Sequence, residues 1–261
     1  MPERERGTVE GSVVALVVNY KTLELTRQCV QTLLAHYPFL PVVMIDNASA
    51  DRSTSFIAEL ASERDNIHAQ INEKNMHHGP ALDQGMRIAE ARYVLTLDSD
   101  CEILRAGFIE EMLKQFENPR MYAVGELRYK NRFGYTYGYW YADPRPKWIP
   151  YVHPYAMLID RVKYLALPPF IHHGAPCIKN MRAAHAARYA VKHFPVYDFV
   201  RHHAGGTSMA HGYGFRGSLR LKAGFYVSKL YDRLVGERAV DVRYPRHAGQ
   251  AGSERSGDAT P

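Results

Sequence analysis

Between residues 13 and 97, short apolar runs alternate with segments of helical period. Residues 13–18 are continuously apolar, the pattern of a strand covered on both faces. Residues 42–45 and 93–97 repeat that pattern, and residues 67–71 repeat it more weakly. In between, residues 22–37 carry Leu23, Thr26, Val30, Leu33 and Leu34 at helical spacing. Residues 53–64 place Phe56, Ile57 and Leu60 on one face, with Ser53 as the expected N-cap. Gly79-Pro80 opens a third helix, with Pro80 in a favourable first-turn position, running to about residue 91. Strands alternating with helices predict an α/β fold on a mainly parallel sheet.

Beyond residue 100 the pattern loosens. Residues 107–117 and 183–190 read as helices, 121–127 and 155–159 as strands, and 194–200 as extended chain. Residues 1–11 and 245–261 have no apolar period and are expected to be disordered. The chain has 261 residues, 46% apolar and 23% charged, which suits one large globular domain and excludes a disulfide-stapled miniprotein or a collagen-like repeat. The expected layout is a ligand-binding half at 12–127, a second half of the same domain at 128–215 and a basic helical region at 216–244.

Three widely spaced cysteines, Cys29, Cys101 and Cys177, with no Cys-x-x-Cys, argue against a disulfide framework or a zinc site and for a reducing compartment. The first twelve residues are charged with no apolar stretch behind them, so no secretory signal is expected. The run at 13–18 is far short of the ~20 residues a membrane-spanning helix needs. These readings predict a cytoplasmic protein, at most peripheral at the inner face of a membrane.

In a parallel α/β sheet, ligands bind at the carboxyl ends of the strands. Asp46 ends the second apolar run, and Asp98 and Asp100 follow the fourth. Carboxylates there can hold a hard divalent cation, which would keep some waters and bridge a diphosphate. An isolated Asp-x-Asp is also a common turn or capping element.

Four blocks in order carry a resemblance to the family 2 glycosyltransferases of the nucleotide-sugar-binding GT-A fold. They are Val17-Val18-Asn19-Tyr20, then Asp46-Asn47-Ala48-Ser49-Ala50-Asp51, then the loop from Asn75 through Gly79 to Gly85, and Tyr93-Val94-Leu95-Thr96-Leu97-Asp98-Ser99-Asp100. The resemblance implies a GT-A-type, Rossmann-like sheet with a smaller mixed acceptor-side portion. It implies that Val18 and Tyr20 line the base pocket and that Asp46 accepts a hydrogen bond from the nucleobase. Asn75 and Gly79 would lie by the nucleotide, Asp98 would face ribose or sugar, and Asp100 would ligate Mn²⁺ or Mg²⁺. The chain departs from the family pattern at Lys21, at His77, where the family has a glycine, and at Asp83.

Further on, Arg201-His202-His203-Ala204-Gly205-Gly206-Thr207-Ser208 resembles the family's closing His-x-Gly-Gly-x-Ser segment. The spacing to Ser208 selects His203 to complete the metal shell, with His202 as runner-up. The family's acidic catalytic base has no counterpart, since no carboxylate occurs from residue 161 to 197. His173 and Asp160 are the leading base candidates, with His172, Glu126 and Asp198 behind them.

Tyr135, Tyr137, Tyr139 and Tyr141 alternate within a stretch that holds both tryptophans, suiting either a sugar-stacking acceptor face or an aromatic cover over the core. Residues 216–247 carry eight Lys or Arg against three acids, so a basic amphipathic helix there either packs on the domain or rests on an anionic membrane.

The function the resemblance implies is transfer of a sugar from a nucleoside-diphosphate sugar to an acceptor hydroxyl, inverting and metal-dependent. UDP or dTDP is favoured as the donor nucleotide, with GDP open. The acceptor is a glycan, a lipid-linked glycan or a small molecule. A degenerate binding module and a nucleotidyltransferase are the alternatives, and the second lacks its Gly-rich basic loop after the first strand. A pI near 9.1 is the main hint of nucleic acid, no binding motif accompanies it, and no such partner is expected.

Overall fold

The structure is a computed structural model that describes residues 9, 11–131, 134, 149–171, 175–203 and 227. The candidate base His173, the alternating tyrosines and nearly all of the basic C-terminal region lie outside the described residues.

Strand β1 (Val13–Asn19) is buried along its whole length. Its side chains alternate between two cores. Val13, Ala15 and Val17 join Cys29, Val30 and Leu33 of helix α1 (Leu23–His36) on one side. Val14, Leu16 and Val18 join Ala81, Leu82 and Met86 of helix α3 (His78–Ile88) on the other. A strand covered on both faces has no place for a polar side chain, which is why the run is continuous. Each fully buried aliphatic side chain contributes about 1.5–3 kcal/mol.

Between these elements lie β2 (Val42–Asp46), α2 (Arg52–Glu63), β3 (Ile67–Ile71) and β4 (Tyr93–Asp98). Ser53 is not the cap of α2. Asp51 caps it, accepting from the Ser53 amide at 2.8 Å, so Ser53 falls inside the first turn.

After β4 come β5 (Cys101–Ile103), α4 (Phe108–Lys114), β6 (Met121–Lys130), β7 (Ile149–Asp160), α5 (Arg161–Leu165), α6 (Ile178–Ala186), β8 (Ala190–His193) and β9 (Val200–His202). Helix α6 starts five residues before the expected 183, because Ile178, Met181 and Ala184 supply the buried stripe. Ala190, the last residue of the expected helix, instead begins β8 alongside β6.

The seven-stranded sheet has the order β3-β2-β1-β4-β7-β6-β8. Strands β1 to β4 are mutually parallel, β7 runs antiparallel to both β4 and β6, and β8 is parallel to β6. This is the expected α/β, Rossmann-like architecture. Strands β5 and β9 form a separate antiparallel pair. All three cysteines are free and buried. Among the described residues, no helix is long and apolar enough to cross a membrane.

Candidate active site

Register gathers the sequence motifs at one edge of the sheet. Asn19 stands opposite Asp46, and Val18 opposite Asp98, so β1, β2 and β4 present their carboxyl ends side by side. The β5–β9 pair then brings residues of the 200s back to this edge, setting Cys101 against His202.

The result is a cluster of Asp98, Asp100 and His202, whose ligand atoms all lie within 4.8 Å of one another. His202 Nε2 is 3.1 Å from Asp100 Oδ1 and 3.8 Å from Asp98 Oδ2. Burial raises the Asp98 pKa and the neighbouring Asp100 charge adds to the rise, while His78 and His202 oppose it. Burial by itself lowers the His202 pKa, but the hydrogen bond it donates to Asp100 and the charges of both aspartates outweigh it, so the net shift is upward. Asp98 Oδ1 is buried and makes no hydrogen bond among the described residues. Two carboxylates and an imidazole, with a buried carboxylate oxygen to satisfy, form a donor set suited to Mn²⁺ or Mg²⁺.

The two histidines face different partners. His203, favoured by its spacing to Ser208, turns its Nε2 to Glu102 Oε2 at 3.4 Å, and only its backbone meets the motif, donating to the Asp100 carbonyl at 2.9 Å. Successive residues of extended chain project to opposite sides, so only one of the pair can face the aspartates.

Asp46, expected to meet the nucleobase, ends β2. It is fully buried. Its Oδ1 accepts from Asn19 Nδ2 at 2.8 Å and from the Ser49 hydroxyl, and its Oδ2 accepts from Thr54 Oγ1 at 2.7 Å. Both oxygens therefore serve the β2–α2 loop. Oδ1 already accepts two hydrogen bonds, whereas Oδ2 accepts one.

Asp160 lies away from the cluster. Its register partner is Tyr93, at the start of β4, while the metal-type cluster follows the end of that strand. At ~3.3 Å per residue the two ends are roughly 17 Å apart. There Asp160 caps α5 and pairs with Lys163 at 2.8 Å.

Val18 sits 7% exposed within the sheet. Tyr20 is half-buried just beyond β1, with Lys21 Nζ 5.4 Å from its ring centre. Asn75 organises the loop before α3, its Oδ1 accepting from Asn47 Nδ2 at 3.0 Å and from the His77 amide at 2.8 Å. Gly79 is buried in the first turn of α3.

Two residues of the edge went unread in the sequence. Asn19 is fully buried, sharing its amide protons among Asp46, Ser49 and Ser53 and accepting from Thr22 and Thr26. His78 opens α3 and sets its Nε2 3.4 Å from Asp98 Oδ1. The signals were an Asn ending an apolar strand and a histidine pair opening a helix.

The fold and this edge define a class: a parallel α/β sheet with an acidic, metal-type centre where nucleotide ligands of such sheets bind. The glycosyl transferase family 2 model matches residues 12–183, and the chain belongs to that family. No curated protein matches it in sequence. Among solved structures, the chain is similar to the mannosyltransferase PcManGT from Pyrobaculum calidifontis in complex with GDP-Man and Mn²⁺, with 16% identity, a TM-score of 0.53, and coverage of 70% of this chain and 54% of that one. It is also similar to S. aureus TarS residues 1–349 in complex with UDP-GlcNAc, with 12% identity, a TM-score of 0.48, and coverage of 66% and 53%. The chain thus spans about half the length of the solved structures it resembles.

Proposed function

We propose that this chain transfers a sugar from a nucleoside-diphosphate sugar to an acceptor hydroxyl, with inversion at the anomeric carbon. The observation that carries the reading is the Asp98–Asp100–His202 cluster at the carboxyl edge of the parallel sheet, in a member of glycosyl transferase family 2. Asp98, Asp100 and His202 would hold a divalent cation, Mn²⁺ or Mg²⁺. When bound, the cation neutralises negative charge on a departing diphosphate. The chain's own part is to hold donor and acceptor in line and to keep the charged groups fixed, so that little reorganisation is needed as the bond breaks. Tyr20 and Val18 flank the strand end where the nucleotide would lie, and the Asn47–Asn75 hydrogen bond fixes the loop that leads into α3. The acceptor class is a glycan, a lipid-linked glycan or a small molecule, and the basic C-terminal region is a candidate peripheral membrane contact.

The test is a thermal-shift panel with UDP, dTDP, GDP and CDP, each with and without Mn²⁺, on the wild type and on Asp100→Ala. Binding to the folded state raises the midpoint by mass action. At least one nucleotide is expected to stabilise the wild type in a Mn²⁺-dependent way and to lose that effect in the variant. No metal-dependent shift with any nucleotide would remove the reading.

A further inference from the structure

The family's usual acidic base has no counterpart in residues 161–197, yet a carboxylate reaches the acceptor side of the edge from another strand. Glu126 sits in β6 where the pairing with β7 slips. Gly125 stands opposite Met157 and Leu127 opposite Val152, so residues 153–156 face Glu126 alone. Such bulges re-aim side chains.

Three features build this bulge. A Cβ on Gly125 would lie 2.9 Å from the Ala156 carbonyl oxygen and 2.9 Å from Val152 Cγ1, so only glycine allows the close approach. Pro154 within the bulge has no amide to offer a ladder. Its carbonyl instead accepts from Thr96 Oγ1 at 2.6 Å, tying the bulge to β4.

The bulge places Tyr155 between Glu126 and the metal-type cluster. The Tyr155 ring stacks on His202, with centroids 4.7 Å apart and planes 13° apart, and burial followed by the charge of the nearby Glu126 carboxylate pushes its hydroxyl pKa up. Glu126 is therefore one aromatic ring removed from the cluster. Its side chain is 22% exposed, and both Arg128 contacts fall on Oε1, at 2.9 Å. The arginine holds the carboxylate through that one oxygen, and Oε2 has no arginine contact among the described residues.

The other carboxylates near the edge have different positions. Glu102 is held by Arg201 at 2.7 Å, Asp160 is at the far end of β4, and Asp198 is exposed beside β9.

We propose that Glu126 is the catalytic base of the transfer, a role that rests on the transferase reading above. The acceptor hydroxyl gives its proton to the Glu126 carboxylate as the hydroxyl oxygen forms a bond to the anomeric carbon. The bond from that carbon to the β-phosphate oxygen breaks, and its electron pair leaves with the nucleoside diphosphate. The carboxylic acid then returns its proton to solvent.

The test measures nucleoside-diphosphate release from UDP-glucose, UDP-GlcNAc and GDP-mannose with Mn²⁺, water serving as acceptor. Positioned bases contribute about 10²–10⁴-fold. Glu126→Gln is therefore expected to lower release roughly 100-fold or more. It should leave the Kd for the nucleoside diphosphate within about twofold of the wild type and remove the acidic limb of the pH–rate profile. Formate should partly restore release by Glu126→Ala, an effect that a structural carboxylate would not show. Release by Glu126→Gln within about threefold of the wild type overturns the proposal, as does loss of nucleotide binding together with rate. No Mn²⁺-dependent release by the wild type from any of the three donors overturns the transferase reading and this role with it.

Discussion

His202 Nε2 stands 3.1 Å from Asp100 Oδ1, joining the end of the described chain to the loop that follows β4. The contact depends on the short β5–β9 pair, which lays Glu102 against Arg201 and Cys101 against His202. The site is thus closed by two segments that are distant in sequence, and the backbone bond from His203 to the Asp100 carbonyl, at 2.9 Å, holds them together.

Asp100→Asn and His202→Ala should each weaken Mn²⁺ binding at least tenfold, measured by calorimetric titration. His203→Ala should leave it within about twofold, because that imidazole meets Glu102 instead. Even outer-shell changes at metal sites cost about 10–100-fold, so loss of a direct ligand is expected to cost no less. A larger effect from His203→Ala than from His202→Ala would reverse the assignment.

His77 precedes α3 with φ at +68°, a left-handed conformation that suits glycine, the residue the family has here. A side chain held there costs about 1–3 kcal/mol, against which glycine loses about 0.5–1 kcal/mol of extra chain entropy. His77→Gly should therefore stabilise the fold by about 1 kcal/mol, seen as a rise in Tm of roughly 2–4 °C. An unchanged or lower Tm would show that the His77 side chain contributes more than its backbone costs.

Gly85 lets α3 lie directly on β1. A Cβ there would stand 2.2 Å from Leu16 Cδ1 and 3.0 Å from its Cγ, and Leu16 is fully buried. Gly85→Ala should destabilise by about 1–3 kcal/mol in urea unfolding despite alanine's better helix propensity. Gly85→Ala with Leu16→Val should recover part of the loss, since the clash is with the leucine tip.

Lys130 is 9% exposed, with its amine 4.8 Å from the Tyr151 ring centre and a hydrogen bond to the Gly134 carbonyl at 3.1 Å. Burial, reinforced by the Arg128 charge, lowers its pKa from 10.5 to about 8. Between those values the unfolded chain keeps a proton that the folded chain has released, so this group's contribution to stability rises with pH. Below pH 8 its full cost is present, on the order of 3 kcal/mol at most. The stability gain of Lys130→Met over the wild type should accordingly be larger at pH 7.5 than at pH 10, read from urea unfolding. Other titrating groups cancel in that difference, and a gain independent of pH would contradict the assigned cause.

The sequence by itself determined the parallel half of the fold. A strand covered on both faces must be apolar throughout, and a helix packed on one face must repeat every three to four residues, so β1, β2, β4, α1 and α2 could be read locally. It also determined that Asp98 and Asp100 follow a strand that ends at the binding edge. Tertiary structure decided which side chains face the edge. Asp46 accepts locally from Ser49 and Thr54, but the Asn19 bond that joins it to the end of β1 comes from another segment of the chain. Which of His202 and His203 meets the Asp100 carboxylate turned on the register of β9 against β5, which spacing to a glycine pair does not encode. Glu126 stands at the β6–β7 slip, a feature made by Gly125 packing on a strand nearly thirty residues away. Periodicity is a local property of a chain, whereas the facing of a polar group is fixed by partners that only folding brings near.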